Sequence, residues 1–135
     1  MRIGGLNLLA VLSAALAIYA IGFIIYGVLI EPNAWMAMAG ISQAELDVVG
    51  QSRMPFGAVM PVMTAIFMAV LFQMGQVEDT TTGIRWAIVI ALASAVPALG
   101  YGWVYGVGPV SMTLLDSAHL LLGHVAAGAI LGGWR

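Results

Sequence analysis

"LNLLAVLSAALAIYAIGFIIYGVLI" occupies residues 6–30 and contains no charged side chain. About 20 consecutive apolar residues are enough for an α-helix to cross the roughly 30 Å hydrocarbon core of a bilayer. This stretch therefore predicts a membrane-spanning helix near the start of the chain. Its apolar run continues about a dozen residues past Ala15 and Ala17, which makes it longer than the apolar region of a signal peptide. We expect an uncleaved anchor.

The rest of the chain has the same character. Of its 135 residues, 62% are hydrophobic and 7% are charged, whereas soluble domains carry about 25% charged residues. Three more stretches, at about 56–75, 84–107 and 114–134, have the length of a membrane span. We predict an all-α integral membrane protein with a single domain over residues 1–135. Its four transmembrane helices would form an antiparallel bundle.

The arginines predict how the chain lies in the membrane. With four spans both termini share one side, and that side collects Arg2, Arg85 and Arg135, while the opposite loops carry Arg53. The positive-inside rule then places both termini in the cytoplasm, with the protein in the bacterial inner membrane. The net charge of −2 and the scattered arginines exclude a nucleic-acid partner.

The longest connection, "EPNAWMAMAGISQAELDVVGQSRMP" at residues 31–55, contains signals of ordered structure. Ser42 and Glu45 have the spacing of a capping box, which predicts a short helix over about 43–49. Trp35 precedes it and suits the headgroup layer of a membrane. We therefore expect a short interfacial helix between the first and second spans.

Small residues predict where helices meet, because helices in lipid associate where backbones can approach closely. The third span has small residues at four-residue intervals, and the fourth has a GxxxG pair. These positions are Ser94, Ala98, Gly102 and Gly106 in the third span, and Gly128 and Gly132 in the fourth. One face would pack the fold internally, leaving the other for a second copy or another membrane subunit. Pro97 predicts a kink in the third span, with a packing role or a gating hinge as the alternatives.

The fourth span carries three polar side chains. Thr113 and Asp116 have capping-box spacing, so the helix is expected to begin at Thr113 with Asp116 in its first turn. His119 lies about 60° around the helix from Asp116, which permits a hydrogen bond between them.

His124 lies about 15 Å from Leu114, near the middle of the bilayer, where an ionisable group is a functional candidate. The alternative is a neutral imidazole with one hydrogen-bond partner. The candidate partners are Ser94, Thr64, Tyr19 and a backbone carbonyl. No metal site is expected, because the two histidines are about 140° apart around the helix.

Both ends of the chain resemble one protein family. The stretches "LNLLAVLSAALAIYAIGFIIYGVLIEPNAWMAMAG" and "LLDSAHLLLGHVAAGAILGGWR" are similar to the N-terminal pattern and the C-terminal signature of the DUF1761 family of small bacterial membrane proteins. The resemblance covers nearly the whole chain and implies four spans, with no established activity. It marks Tyr26, Gly27, Trp35, Asp116, His119, Gly128, Gly132 and Trp134. Two positions depart from the family pattern: Ile25, where an aromatic residue is more frequent, and His124, where an aliphatic one is usual.

Three classes of function remain. A non-catalytic structural or accessory subunit would pack into a homo-oligomer or a larger membrane complex, with the lipid bilayer as its other partner. A small channel or carrier for protons, cations or a small solute would use Asp116, His119 and His124. An enzyme would need a nucleophile with its base or paired carboxylates inside a span, and the sequence shows neither. We predict no catalytic residue, no metal site and no cofactor.

Overall fold

A computed structural model describes residues 2–134, except for the side chains of Val49, Gln51 and Met54. Within this range the strands form one small hairpin. Its elements in chain order are β1 (Arg2–Ile3), β2 (Leu6–Asn7), α1 (Leu8–Phe23), a π-helical turn (Ile24–Leu29), α2 (Pro32–Ala39), α3 (Gln43–Arg53), a 3-10 turn (Met54–Ala58), α4 (Val59–Met74), α5 (Thr80–Ile90), a second π-helical turn (Ala91–Ala95), α6 (Val96–Tyr105) and α7 (Val110–Gly133).

Within residues 2–134, four helices are long and apolar enough to cross a membrane, which confirms the predicted fold class. These spans are Leu8–Leu29, Pro55–Met74, Thr80–Tyr105 and Val110–Gly133. The third span begins earlier than the predicted residue 84. The side chain of Asp79 caps it by accepting hydrogen bonds from the Thr82 N–H at 2.9 Å and the Thr82 hydroxyl at 2.6 Å. The polar turn before this span is therefore partly helical.

The predicted start of the fourth span is wrong. The helix begins at Val110, directly after Pro109, whose backbone is extended. Pro109 is the residue that precedes the helix, where its missing N–H removes no helical hydrogen bond. Thr113 and Asp116 are therefore inside the helix, and neither caps it.

The N-terminal hairpin was not predicted. β1 and β2 pair antiparallel, with Arg2 opposite Asn7 and Ile3 opposite Leu6. Gly4 and Gly5 form the turn with φ of 59° and 85°. A two-residue hairpin turn of this kind needs positive φ at both central positions, which glycine adopts without strain.

The connection between the first two spans contains two helices. α2 starts with Pro32 and ends at Gly40, which has a left-handed backbone with φ of 68°. The predicted capping box begins α3: the Ser42 N–H donates to Glu45 at 2.8 Å, and the Glu45 N–H donates to the Ser42 hydroxyl at 3.3 Å. The pKa of the Glu45 carboxyl is lowered by the bond from the Ser42 N–H and, less strongly, by the Ser42 hydroxyl, which donates to the same carboxylate at 2.7 Å. α3 continues through Gly50 and ends at Arg53, four residues beyond the predicted end.

The fourth span packs against the other three. It contacts the first and third spans extensively and the second less so. Neighbours run antiparallel: late in the first span Gly22 faces His119, whereas early in the third span Gly83 faces Gly128 and Gly132. The core between the spans is built largely of alanine, including the fully buried Ala14, Ala65, Ala87 and Ala127.

The two small-residue faces have different surroundings. A Cβ added to Gly128 would lie 2.5 Å from the Ala87 Cβ, and one added to Gly132 would lie 2.5 Å from the Asp79 carbonyl oxygen. The glycines of the fourth span thus lie directly against the third. In contrast, the four small residues of the third span are all exposed: Ser94, Ala98, Gly102 and Gly106.

The third span is also less regular than the predicted stripe requires. Ser94 lies in the second π-helical turn, Ala98 and Gly102 lie in α6, and Gly106 follows the end of α6. The π-helical turn comes just before Pro97, which lacks the N–H that would continue an α-helical ladder. Instead, the Val96 N–H donates to the Ala91 carbonyl five residues earlier.

Candidate functional site

A tyrosine and an aspartate join the first and fourth spans. The Tyr26 hydroxyl donates a hydrogen bond to Oδ1 of Asp116, and the pair is partly buried. Tyr26 lies in the π-helical turn that ends the first span, where the Ile30 N–H donates to the Ile25 carbonyl at 3.1 Å. Such a turn changes which residues face a neighbouring helix, and π-helical turns are frequent at functional sites.

The structure gives Asp116 a different partner from the predicted one. Asp116 is six residues inside α7, or about 9 Å along the helix from Val110. Its carboxylate therefore does not bind the helix N-terminus. It accepts a hydrogen bond from a phenol on another span, and an acidic group within a span needs such a partner because lipid provides none.

His119 lies beside this pair. Its ring and the ring of Tyr26 have centroids 5.4 Å apart and planes at 85°, so one ring meets the other edge-on. Among the described residues 2–134, the buried Nε2 of His119 has no hydrogen-bond partner. A Cβ added to Gly22 would lie 2.8 Å from this nitrogen. Glycine at position 22 therefore allows the imidazole to lie against the first span.

The observed start of α7 changes the depth of both histidines. His119 is nine residues from Val110, and His124 is nine residues from Gly133. At 1.5 Å per residue, each lies about 13 to 14 Å from its nearer helix end. The two histidines are thus equally close to the helix midpoint, whereas the sequence had placed only His124 there.

His124 is held inside the protein. Its side chain is 7% exposed, and its Nδ1 lies 2.7 Å from the carbonyl oxygen of Leu120. Of the predicted partners, the structure therefore shows the backbone carbonyl. The Ser94 hydroxyl instead donates to the Ile90 carbonyl at 2.7 Å, while Tyr19 and Thr64 line a cavity beside His119.

This cavity of about 280 Å³ lies between the first, second and fourth spans. Its opening is surrounded by exposed side chains, among them Tyr19, Phe23 and Met60. Within the described residues its wall contains no arginine, aspartate or glutamate. The wall consists of Ile18, Tyr19, Gly22, Phe23, Gly57, Met60, Pro61, Thr64, His119 and Leu120.

A second cavity of about 220 Å³ lies at the opposite end of the spans. Its polar wall residues include Arg2, Asn7, Gln73, Gln76 and Glu78. Gln76 has a φ of 51°, which is uncommon for a residue with a side chain. Trp134 is also part of this wall, so two of the residues singled out from the sequence, Tyr26 and Trp134, lie at opposite ends.

The remaining candidates lie elsewhere. Gly27 faces the ring of Phe23, and Trp35 is half-buried in α2, a helix that contacts α7. Among residues 2–134, no group of three or more His, Asp and Glu side chains is arranged to bind a metal ion. The structure therefore brings together Tyr26, Asp116 and His119, and separates them from His124.

The role of Tyr26 was not predicted. The sequence marks this residue as part of a family pattern and predicts no partner for it. A tyrosine near the end of a span is usually an interfacial anchor. Only the contact between the first and fourth spans identifies it as the hydrogen-bond donor to Asp116.

These features define a small helical protein with four apolar helices of membrane-spanning length and a polar cluster between two of them. The chain belongs to the DUF1761 family, described as a protein of unknown function, whose family model matches residues 9–132. No curated protein and no solved structure matches it.

Proposed function

We propose that this protein is a non-catalytic subunit of the bacterial inner membrane that assembles with a second copy of itself. In this proposal both termini are cytoplasmic, and the third span forms the contact between copies. The observation that carries the proposal is the exposure of the small residues in the third span.

The third span is the least enclosed of the four. Of the most apolar 18 residues of the third span, only 11% are buried inside the protein, compared with 22–28% in the other three spans. It packs against the fourth span and touches the second slightly. A Cβ added to Gly102 would meet nothing within 4 Å. Together with Ala98, one turn earlier, Gly102 forms a surface without large side chains. The backbone of a second helix can pack closely against such a surface.

The proposed partner is a second copy of the chain, since the same small-residue surface on two chains can pack against itself about a two-fold axis. The glycines of the fourth span are not free for this purpose, because Gly83 and Ala87 already cover Gly128 and Gly132. The arrangement supports the division predicted from the sequence, with one small-residue face used inside the fold and the other between copies.

The test is the mass of the purified protein in mild detergent. We expect a dimer for the parent chain, and a monomer for Ala98→Leu and Gly102→Leu, because a large side chain keeps the helices apart. Gly100→Leu is the matched control, since Gly100 is on the same helix, about 160° away from Gly102, and an added Cβ there also meets nothing within 4 Å. A parent chain that is monomeric, or variants that keep the dimer mass, would exclude this contact.

A small carrier for protons, cations or a solute is the second candidate. It is favoured by the polar cluster of Tyr26, Asp116 and His119 within the spans, since such groups by default mark functional sites. His124 is less suited to it, because its Nδ1 is bonded to a carbonyl within its own helix. The test is flux into proteoliposomes between pH 5 and 8, where imidazole changes charge. Flux that is unchanged in the double variant His119→Leu, His124→Leu would exclude this use of the histidines.

A further inference from the structure

The second cavity, at the end of the spans opposite Tyr26, combines charged, amide and apolar side chains in one wall. We propose that it binds a small zwitterion with a short aliphatic side chain, which is the chemistry of an aliphatic α-amino acid. This inference is independent of the proposed assembly. The cavity lies between the N-terminal hairpin and the ends of the first, second and fourth spans, whereas the proposed contact between copies lies on the third.

The base of the cavity is apolar. Val11, Phe72 and Leu131 line it from three different spans and are 4%, 3% and 8% exposed. An apolar group of a ligand gains free energy when it leaves water for such a surface. The volume of about 220 Å³ is below the roughly 300 to 1,000 Å³ typical of sites for drug-sized molecules. The base therefore suits one short aliphatic side chain, and a peptide or a lipid chain is too large for it.

The exposed part of the wall carries one charge of each sign. Arg2 from β1 and Glu78 from the turn after α4 both line the cavity, whose surface is partly polar. A guanidinium binds a carboxylate through paired N–H groups, and a carboxylate can accept several hydrogen bonds, including those of an ammonium group. A ligand with a single charge would be repelled by one of the two side chains. A zwitterion presents both charges and therefore matches this wall better than a simple acid or amine.

Gln76 occupies a position in this wall that favours glycine. At the end of α4 the Val77 N–H donates to the Phe72 carbonyl at 2.9 Å, and the Gln76 N–H donates to the Gln73 carbonyl at 3.3 Å. In this pattern the residue at position 76 has a left-handed backbone and is usually glycine. Gln76 adopts that backbone, with a φ of 51°, although a side chain makes it strained. A ligand contact explains why an amide is present here, since an amide can bond both the carboxylate and the ammonium group of a zwitterion.

The experiment compares L-leucine with three molecules that each lack one of its features. The untagged full-length protein is placed in nanodiscs of phosphatidylglycerol, and binding is measured by isothermal titration calorimetry. L-leucine should bind saturably. 4-Methylpentanoate lacks the ammonium group, 3-methylbutylamine lacks the carboxylate and glycine lacks the side chain, so each should bind at least tenfold more weakly. Phosphatidylethanolamine, whose head group carries a phosphate and an ammonium group, should not compete with leucine when it is added to the nanodiscs.

Two variants locate the site. Arg2→Gln should weaken leucine binding at least tenfold, whereas the control Arg85→Gln, which lies outside the wall, should not. Gln76→Gly relieves the strained backbone, so it should weaken binding about three- to tenfold without lowering the unfolding temperature. The proposal is overturned if leucine does not bind saturably, if 4-methylpentanoate or 3-methylbutylamine binds equally well, or if phosphatidylethanolamine displaces leucine. It is also overturned if folded Arg2→Gln and Gln76→Gly both bind leucine like the parent.

Discussion

At the residue scale, the contact between Tyr26 and Asp116 is the most specific feature of the molecule. The two side chains are 90 residues apart in the chain and come together because the first and fourth spans run antiparallel. The bond satisfies a carboxylate within a span and fixes the ring that lies edge-on to His119. Asp116 therefore ties two helices together and also forms one side of the polar cluster.

Tyr26→Phe tests the strength of this tie. The variant keeps the ring contact with His119 and removes the hydroxyl group that donates the hydrogen bond to Asp116. We expect the free energy of unfolding to fall by about 1 to 2 kcal/mol, the usual size of an interhelical hydrogen bond in lipid. Thermal or denaturant unfolding in mild detergent measures it. The control is Tyr105→Phe, since Tyr105 is 82% exposed. Equal stability of the two variants would show that the bond contributes nothing.

At the element scale, the fourth span is held by the close approach of α5 and α7. A Cβ added to Gly83 would lie 2.3 Å from the Gly128 carbonyl oxygen, so the two backbones are in direct contact. Small residues at such crossings let dispersion contacts form along both helices. The glycines of α7 are thus a structural requirement of this fold.

Gly128→Ala is the corresponding prediction. The new methyl group would lie 2.5 Å from the Ala87 Cβ and 2.6 Å from the Gly83 carbonyl oxygen, and such overpacking costs about 1 to 3 kcal/mol. The control Gly100→Ala adds the same group in open space, where alanine stabilises a helix by up to about 1 kcal/mol relative to glycine. Unfolding midpoints of the two variants should therefore shift in opposite directions. A Gly128→Ala protein as stable as Gly100→Ala would contradict this helix contact.

The start of α5 predicts a dependence on pH. Hydrogen bonds from the side chain and backbone of Thr82 lower the pKa of the Asp79 carboxyl. Because the folded pKa is below the unfolded value, the cap stabilises the helix at neutral pH and this contribution is lost as pH falls through the folded pKa. Relative to the intrinsic exchange rate at each pH, the amides in the first turns of α5 should lose protection in acid. In Asp79→Asn, which caps without titrating, the same amides should lose less protection. If the two proteins respond identically, the cap does not account for the effect.

Features that depend only on nearby residues were predicted correctly from the sequence. These are the apolar runs of the spans and the Ser42–Glu45 capping box, each of which lies within a single helix. The π-helical turns at Ile24–Leu29 and Ala91–Ala95 could not be predicted from apolar runs, because a π-helical and an α-helical turn bury the same residue types. The start of α7 was misplaced because Thr113 and Asp116 have capping-box spacing inside a helix, where Asp116 is satisfied by Tyr26 from a distant part of the chain.

At the scale of the whole molecule, the fourth span is central and the third is peripheral. The first and second spans pack with the fourth around an alanine-rich core and enclose the cavity beside His119. The third span leaves the small residues Ala98 and Gly102 on the outside. Sequence periodicity identified these residues as a contact surface, but it carries no information about which neighbour covers a face. This is why the neighbour of the fourth-span glycines, the third span, could be assigned only from the packing.

Cysteine cross-linking in the membrane tests the proposed contact between copies most directly. The chain contains no cysteine, so Gly102→Cys and Gly100→Cys each introduce a single reporter on opposite faces of α6. After oxidation of native membrane vesicles, we predict covalent dimers for Gly102→Cys and little or no dimer for Gly100→Cys. No cross-linking at Gly102, or equal cross-linking at both positions, would contradict assembly through this face of the third span.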